Sequence, residues 1–237
     1  MDFKKKIRTI FNVFGIDLVR LNHSPKQTML GLRSLKISTV IDVGANEGQF
    51  GKSILKVFPQ ADLYCFEPLE VPFKKLRAWT DSIGNRVQCF NVALGDQEGA
   101  LEMHYHNEHS PSSSLLASTA HGHQTYPQTI SENITTVRVT TLDNFSGSHL
   151  NQITNGIMLK LDVQGFEDRV LRGAYKLLQK CDACMLEVCL DPLYEGQANF
   201  PDLVEILTRA GFKYSGNVDQ TYGKDGRVIF FDALFLK

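Results

Sequence analysis

In the run Gly156-Ile157-Met158-Leu159-Lys160-Leu161-Asp162-Val163-Gln164-Gly165, three polar residues recur at period two inside an otherwise apolar stretch. Period two places Lys160, Asp162 and Gln164 on one face of a strand. A central parallel strand is buried on both faces and should be apolar throughout. Charges are rarely kept in such a place without a partner or a task. The next apolar run, Met185-Leu186-Glu187-Val188-Cys189, carries the same anomaly at Glu187. Lys160, Asp162 and Glu187 are therefore the candidate catalytic residues. Asp162 is the first choice to accept a proton from an attacking group or to orient it, Glu187 is the second, and Lys160 holds the carboxylates. The structural alternative is a buried ion pair of Lys160 with Glu187 or Asp162.

A second group of residues could bind a cofactor. Thr39-Val40-Ile41-Asp42-Val43-Gly44 reads as a buried strand and is followed by Ala45-Asn46-Glu47-Gly48. Glycines let backbone approach a ligand, and the next helix offers free N–H groups. The spacing is G-x-x-x-G, whereas dinucleotide enzymes show G-x-G-x-x-G. Asp42 and Glu47 also put negative charge where a pyrophosphate would be repelled. After the next strand comes Phe66-Glu67-Pro68. A carboxylate there can accept both hydroxyls of a ribose; its other reading, a helix N-cap, is one that Glu fills poorly. Loop and acid together fit NAD or S-adenosylmethionine, and the glycine spacing favours S-adenosylmethionine.

These side chains need a frame to hold them. Strand patterns at 39–44, 62–66, 87–94, 157–163, 183–190 and 227–236 alternate with helix patterns at 49–58, 68–79, 166–179 and 200–210. That alternation predicts a mainly parallel sheet covered on both faces. Weaker alternation at 100–106 predicts an edge strand, and alternation returns at 135–142 with Val137, Val139 and Thr141 on one side. Residues 106–133 are rich in Ser, His and Thr without a period and read as a long loop that closes over the acceptor.

The chain has 237 residues with a net charge of −1, and hydrophobic residues make up 43%. This is the composition of a globular protein, with none of the basic excess of a nucleic-acid binder. No uncharged apolar run reaches the roughly 18 residues of a membrane span, and no cleavable secretory signal is evident. The odd count of five cysteines suits packed, reduced thiols and a cytoplasmic protein. Cys181 and Cys184 form a lone C-x-x-C without the second pair that a zinc site needs. His104, His106, His109, His121 and His123 offer a rival base or a metal site, although no acidic cluster completes one. Near the N-terminus Phe3, Ile7, Ile10, Phe11, Phe14 and Leu18 repeat at helical spacing beside Lys4, Lys5, Lys6 and Arg8. The pattern predicts a helix packed across the domain, or else an interfacial helix making weak contact with an anionic membrane surface.

In order along residues 36–237 the chain resembles the FkbM-type S-adenosylmethionine-dependent methyltransferases. The likeness runs through Val40 to Phe50, Phe66-Glu67-Pro68, Asn91-Val92-Ala93-Leu94-Gly95-Asp96, Ser112-Ser113-Ser114-Leu115, Thr141-Leu142-Asp143 and Phe231 to Phe235. Its most specific part is Leu159-Lys160-Leu161-Asp162-Val163-Gln164-Gly165-Phe166-Glu167. The resemblance implies an α/β, Rossmann-like class I sheet, mostly parallel with an antiparallel C-terminal strand. It also implies S-adenosylmethionine as donor and O-methylation of a sugar, glycan or natural product. By the same resemblance Asp42, Gly44, Ala45, Asn46, Gly48, Glu67 and Ala93 bind the cofactor. Many relatives carry Glu where this chain has Gln164, which removes one candidate base. Residues 1–35 lie outside the likeness and read as a helical extension. A metal-assisted transferase using the loop histidines and a non-catalytic binding protein are the alternatives. The buried charges argue against the latter, and Asp162-Val163-Gln164-Gly165 lacks the prolines and aromatic ring of a flipped-base pocket.

Overall fold

The computed structural model describes residues 3–14, 29–106, 110–149 and 156–237. Seven strands form one sheet in the order β3-β2-β1-β7-β8-β10-β9. They are β1 (Thr39–Val43), β2 (Asp62–Phe66), β3 (Val87–Phe90), β7 (Ile157–Leu161), β8 (Cys181–Cys189), β9 (Lys213–Tyr222) and β10 (Val228–Leu236). The five strands from β3 to β8 pair in parallel, and β10 runs antiparallel to both β8 and β9. The expected Rossmann-like class I arrangement with an antiparallel C-terminal strand is present.

Apart from Asp42, Lys160 and Glu187, the central strands β1, β7 and β8 are largely apolar on both faces, as parallel strands between helices must be. Ile41 and Val43 pack with Leu159, Leu161 and Phe66 on one side, while Val40 and Met158 pack with Leu63 and Ile54 on the other. The helices that follow the strands are α2 (Gln49–Val57), α3 (Glu70–Ile83), α6 (Glu167–Arg172), α7 (Tyr175–Lys180) and α8 (Phe200–Arg209). Strand order reverses between β1 and β7, so the carboxyl ends of these two strands flank the crevice where open α/β sheets bind ligands.

Several elements differ from expectation. The strand predicted over 87–94 breaks after Phe90, because the Asn91 side chain turns in to donate to the Glu67 and Pro68 carbonyls at 3.0 and 2.9 Å. Its second half, β4 (Ala93–Leu94), joins a separate sheet of order β4-β6-β5 with β5 (Gly99–Tyr105) and β6 (Asn133–Thr140). The helix predicted over 166–179 is two helices, split at Gly173. A Cβ there would lie 1.9 Å from the Gly95 carbonyl oxygen. Asp143, in α5 (Leu142–His149), then accepts the Lys176 and Leu177 amides at the start of α7. The segment after β5 contains the short helix α4 (Ala120–Thr125) and two 3-10 turns.

At the N-terminus α1 spans Phe3–Val13. Ile10, Phe11, Val13 and Phe14 are exposed, which does not meet the expectation of a helix packed across the domain; Leu18 lies outside the described residues. No helix among the described residues is long and apolar enough to cross a membrane.

Candidate active site

The loop after β1 is shaped by packing. Gly44 has φ +76°, and a Cβ on it would sit 1.8 Å from the Asp162 carbonyl oxygen. Gly48 has φ +85°, and its Cβ would meet the Trp79 ring at 2.6 Å. The Gly44 and Ala45 amides donate to the Phe66 carbonyl. Asn46, itself at φ +47°, then turns its amide onto Glu67 Oε2 at 3.0 Å, while the Leu69 amide donates to Oε1 at 2.8 Å. Glu67 is 5% exposed. Burial raises its carboxyl to about 7 against the opposing pull of those two N–H groups.

Glu67 stands in the wall of a pocket of about 630 Å³, mouth included, at the carboxyl ends of β1, β2 and β7. Gly44, Asn46, Ala93 and Asp162 also line it, and Leu69, Val92, Met103, Pro111 and Leu115 supply apolar surface. Ser113 belongs to the wall as well, and its buried Oγ has no partner. An acid held by backbone, an apolar slot and an orphaned hydroxyl suit a nucleoside: the acid is able to accept from ribose hydroxyls, and the slot offers apolar surface to a flat base. Asp42, Ala45 and Gly48 lie outside this wall. Ala45 and Gly48 build the loop, and Asp42 is fully buried in β1.

The predicted catalytic side chains come together. Lys160 Nζ lies 3.2 Å from Asp42 Oδ1 and 3.3 Å from Asp162 Oδ2. The structural alternative named Asp162 or Glu187 as the partner; among the described residues the ion pairs are to Asp162 and to Asp42, the residue opposite Lys160 in the β1–β7 register. Burial alone would lower Lys160, but Asp162 and Asp42 together raise it, so it stays protonated. Burial raises Asp42, and Lys160 opposes that rise. Glu187 reaches the cluster through Gln164, whose Nε2 donates at 2.8 Å to both Glu187 Oε1 and Asp162 Oδ1. Burial, then the charges of Asp162, Glu167 and Asp232, push Glu187 well above the usual carboxylate range.

A family model described as the methyltransferase FkbM domain matches residues 42–214. The chain belongs to the FkbM methyltransferase family. It is 28% identical over 177 residues to the 2-O-methyltransferase NoeI of Sinorhizobium fredii (strain NBRC 101917 / NGR234), covering 71% of this chain and 70% of that protein. Its fold is similar to the crystal structure of methyltransferase FkbM from Methylobacillus flagellatus KT, with a TM-score of 0.53 at 13% identity. That match covers 85% of this chain, which spans 44% of the crystallised one.

Within the FkbM domain the histidines are scattered. His104 Nδ1 lies 2.8 Å from Glu132 Oε1, His123 Nδ1 lies 3.1 Å from Thr129 Oγ1, and His106 is buried with Nδ1 3.1 Å from the Ser131 carbonyl. His121 stands 3.9 Å from Asp191; His109 lies outside the described residues. None of the described histidines lines the pocket, and no group of three or more His, Cys, Asp or Glu among the described residues is placed to hold a metal ion. Cys181 and Cys184 are buried and unpaired, and burial raises both thiols.

Sequence reasoning did not assign roles to Tyr194, Ser113, Ser114 or Glu167. Glu167 is buried and accepts from the Val163 and Gly165 amides, fixing the turn that carries Asp162. The Ser112-Ser113-Ser114 string was the only signal for the serines, and nothing in the sequence marks Tyr194.

Proposed function

We propose that the chain transfers a methyl group from S-adenosylmethionine to a hydroxyl of a sugar, glycan or natural product, with Asp162 as the base or orienting acid. The catalytic unit is residues 36–237. Bound S-adenosylmethionine supplies an electrophilic methyl group on a sulfonium. The protein's part is to position the attacking hydroxyl and remove its proton. The observation that carries the reading is the place of Asp162: it lines the same pocket as Glu67, keeps 36% of its side chain exposed, and is held on one oxygen by Lys160 and on the other by Gln164. Lone pairs remain on both oxygens for a hydroxyl donor. The naming of NoeI as a 2-O-methyltransferase supports a hydroxyl acceptor.

Ser110, Pro111, Ser113 and Leu115 extend the segment after β5 over the same pocket, and Ser110 Oγ accepts from Asn46 Nδ2 at 3.1 Å. In this reading that segment walls the donor site. The test is transfer of label from S-adenosylmethionine to glycan and small-molecule fractions, with mass spectrometry of the product. Methylation confined to nitrogen, or to nucleic acid, would overturn the hydroxyl reading.

A second reading concerns α1. We propose that it lies on an anionic lipid surface and holds the enzyme at the membrane periphery. The exposed Ile10, Phe11, Val13 and Phe14 support this, together with the four cations and no acid in the sequence from 3 to 14.

A further inference from the structure

Gln164 is neither acid nor base in the proposed chemistry, yet its backbone and both ends of its side-chain amide are held. It follows β7 at φ +54°, a conformation that a non-glycine residue keeps only when its surroundings impose it. Four hydrogen bonds do so. The Ser114 hydroxyl donates to its carbonyl at 2.6 Å, the Tyr194 hydroxyl donates to its Oε1 at 2.6 Å, and its Nε2 donates to Asp162 and Glu187. Tyr194 is 5% exposed, and burial holds its hydroxyl in the protonated, donating form. The Tyr194 hydroxyl also lies 3.2 Å from the Ser112 carbonyl, and its shorter contact is with Gln164 Oε1. Turned over, the amide would set its oxygen against Asp162 and lose both N–H bonds to the acids.

The chemistry of the group matters as much as its place. A primary amide has two N–H hydrogens, and here two carboxylate oxygens take them. A carboxylate at this position has neither hydrogen. It would add negative charge beside Asp162, Glu187 and Glu167, with Lys160 already engaged by Asp42 and Asp162.

We propose that Gln164 is a positioning residue for methyl transfer, its amide clamping Asp162 and Glu187 into one unit and keeping that unit free of a further negative charge. Lys160 fixes Asp162 Oδ2, Gln164 fixes Oδ1, and the remaining lone pairs face the acceptor. Tyr194 and Ser114 hold the clamp from the segments after β8 and after β5, so both segments take part in setting the geometry of Asp162. The inference rests on the reading of Asp162 as the proton-accepting group.

Two variants of the full chain test it. Gln164→Glu keeps the size and removes the donors. Its kcat/KM profile should have an acid limb about one pH unit above that of the parent, since the enlarged acid cluster holds its proton longer. Gln164→Ala should keep S-adenosylhomocysteine affinity within about twofold and lower kcat by roughly 10–100-fold, as loss of orientation does. A readout independent of turnover is Tm against pH without ligand. An acid whose folded pKa exceeds its unfolded one costs stability that grows as pH rises between the two values. The Tm gap between Gln164→Glu and parent should therefore widen from pH 5 to pH 8. An unshifted acid limb together with a pH-independent Tm gap overturns the clamp. So does a Gln164→Ala protein that loses ligand affinity as much as kcat, because that is the mark of a purely structural part. Full turnover by Asp162→Asn would instead sink the role of Asp162, while the Tm gap still reports on the clamp.

Discussion

Lys160 and Asp42 face each other across the β1–β7 ladder at 3.2 Å, as partners in register, with 8% and 0% of their side chains exposed. The strand that leads into the Gly44 loop and the strand that leads into Asp162 are thus joined by a buried charge pair as well as by backbone. Such a pair gives little net stability relative to an apolar replacement, but removing one partner strands the other.

Lys160→Met should therefore destabilise the protein by about 3–5 kcal/mol, a fall in Tm of roughly 10 °C for a domain of this size. Asp42→Asn combined with Lys160→Met should recover part of the loss. Urea denaturation of the single and double variants checks this. A neutral Lys160→Met would mean that water reaches Asp42.

If Glu67 meets the donor's ribose, its raised carboxyl should set a pH dependence of binding. Burial places its carboxyl at about 7, so near neutrality a sizeable fraction carries a proton. Ribose hydroxyls donate, so they favour the ionised form, and affinity for S-adenosylhomocysteine should fall as pH drops through about 7. Calorimetry in buffers of different ionisation heat should find proton release on binding. Glu67→Gln should cost about 1.5–3 kcal/mol of affinity and lose this pH dependence. Affinity that is flat between pH 6 and 8 would show that Glu67 does not meet the donor's hydroxyls.

Asp162→Asn keeps the shape and the Gln164 side of the network but loses the charge. Binding of S-adenosylhomocysteine should be nearly intact, and turnover should fall by about 10²–10⁴-fold. If turnover survives there but is lost in a His104 or His106 variant, the base is a histidine. Loss of activity with chelator and recovery with a divalent ion would instead turn Asp162 into a candidate metal ligand.

The N-terminal helix predicts co-sedimentation with vesicles of phosphatidylcholine and phosphatidylglycerol, weakened by salt and absent with phosphatidylcholine alone. Replacing both Phe11 and Phe14 by Glu should abolish it while methyl transfer to a small acceptor is kept. Equal sedimentation of parent and variant, or an oligomer in solution that dissociates in the variant, counts against the lipid surface.

Much of this was legible because charge in a buried strand is conspicuous. Lys160, Asp162 and Glu187 announced themselves by interrupting apolar runs, and Glu67 by following one. What stayed hidden depends on contacts distant in sequence. The break after Phe90 comes from a side chain turning onto Glu67 and Pro68, and the helix break at Gly173 from the approach of Gly95. The strand β9 went unread because it runs at the sheet edge, where only Val218 is buried and no apolar alternation is required. Gln164 was discounted for lacking charge, and in the structure its neutrality is what lets it join two acids. The glycines of the loop after β1 read as room for ligand approach, whereas Gly44 and Gly48 are demanded by Asp162 and Trp79.

The contact at Gly44 has an evolutionary consequence. Since its α-carbon leaves no room for even a methyl group against the Asp162 carbonyl, the spacing from the loop after β1 to the acid is fixed by main chain. Substitutions in the segments after β5 and β8 that spare Ser114 and Tyr194 can therefore accumulate without resetting it.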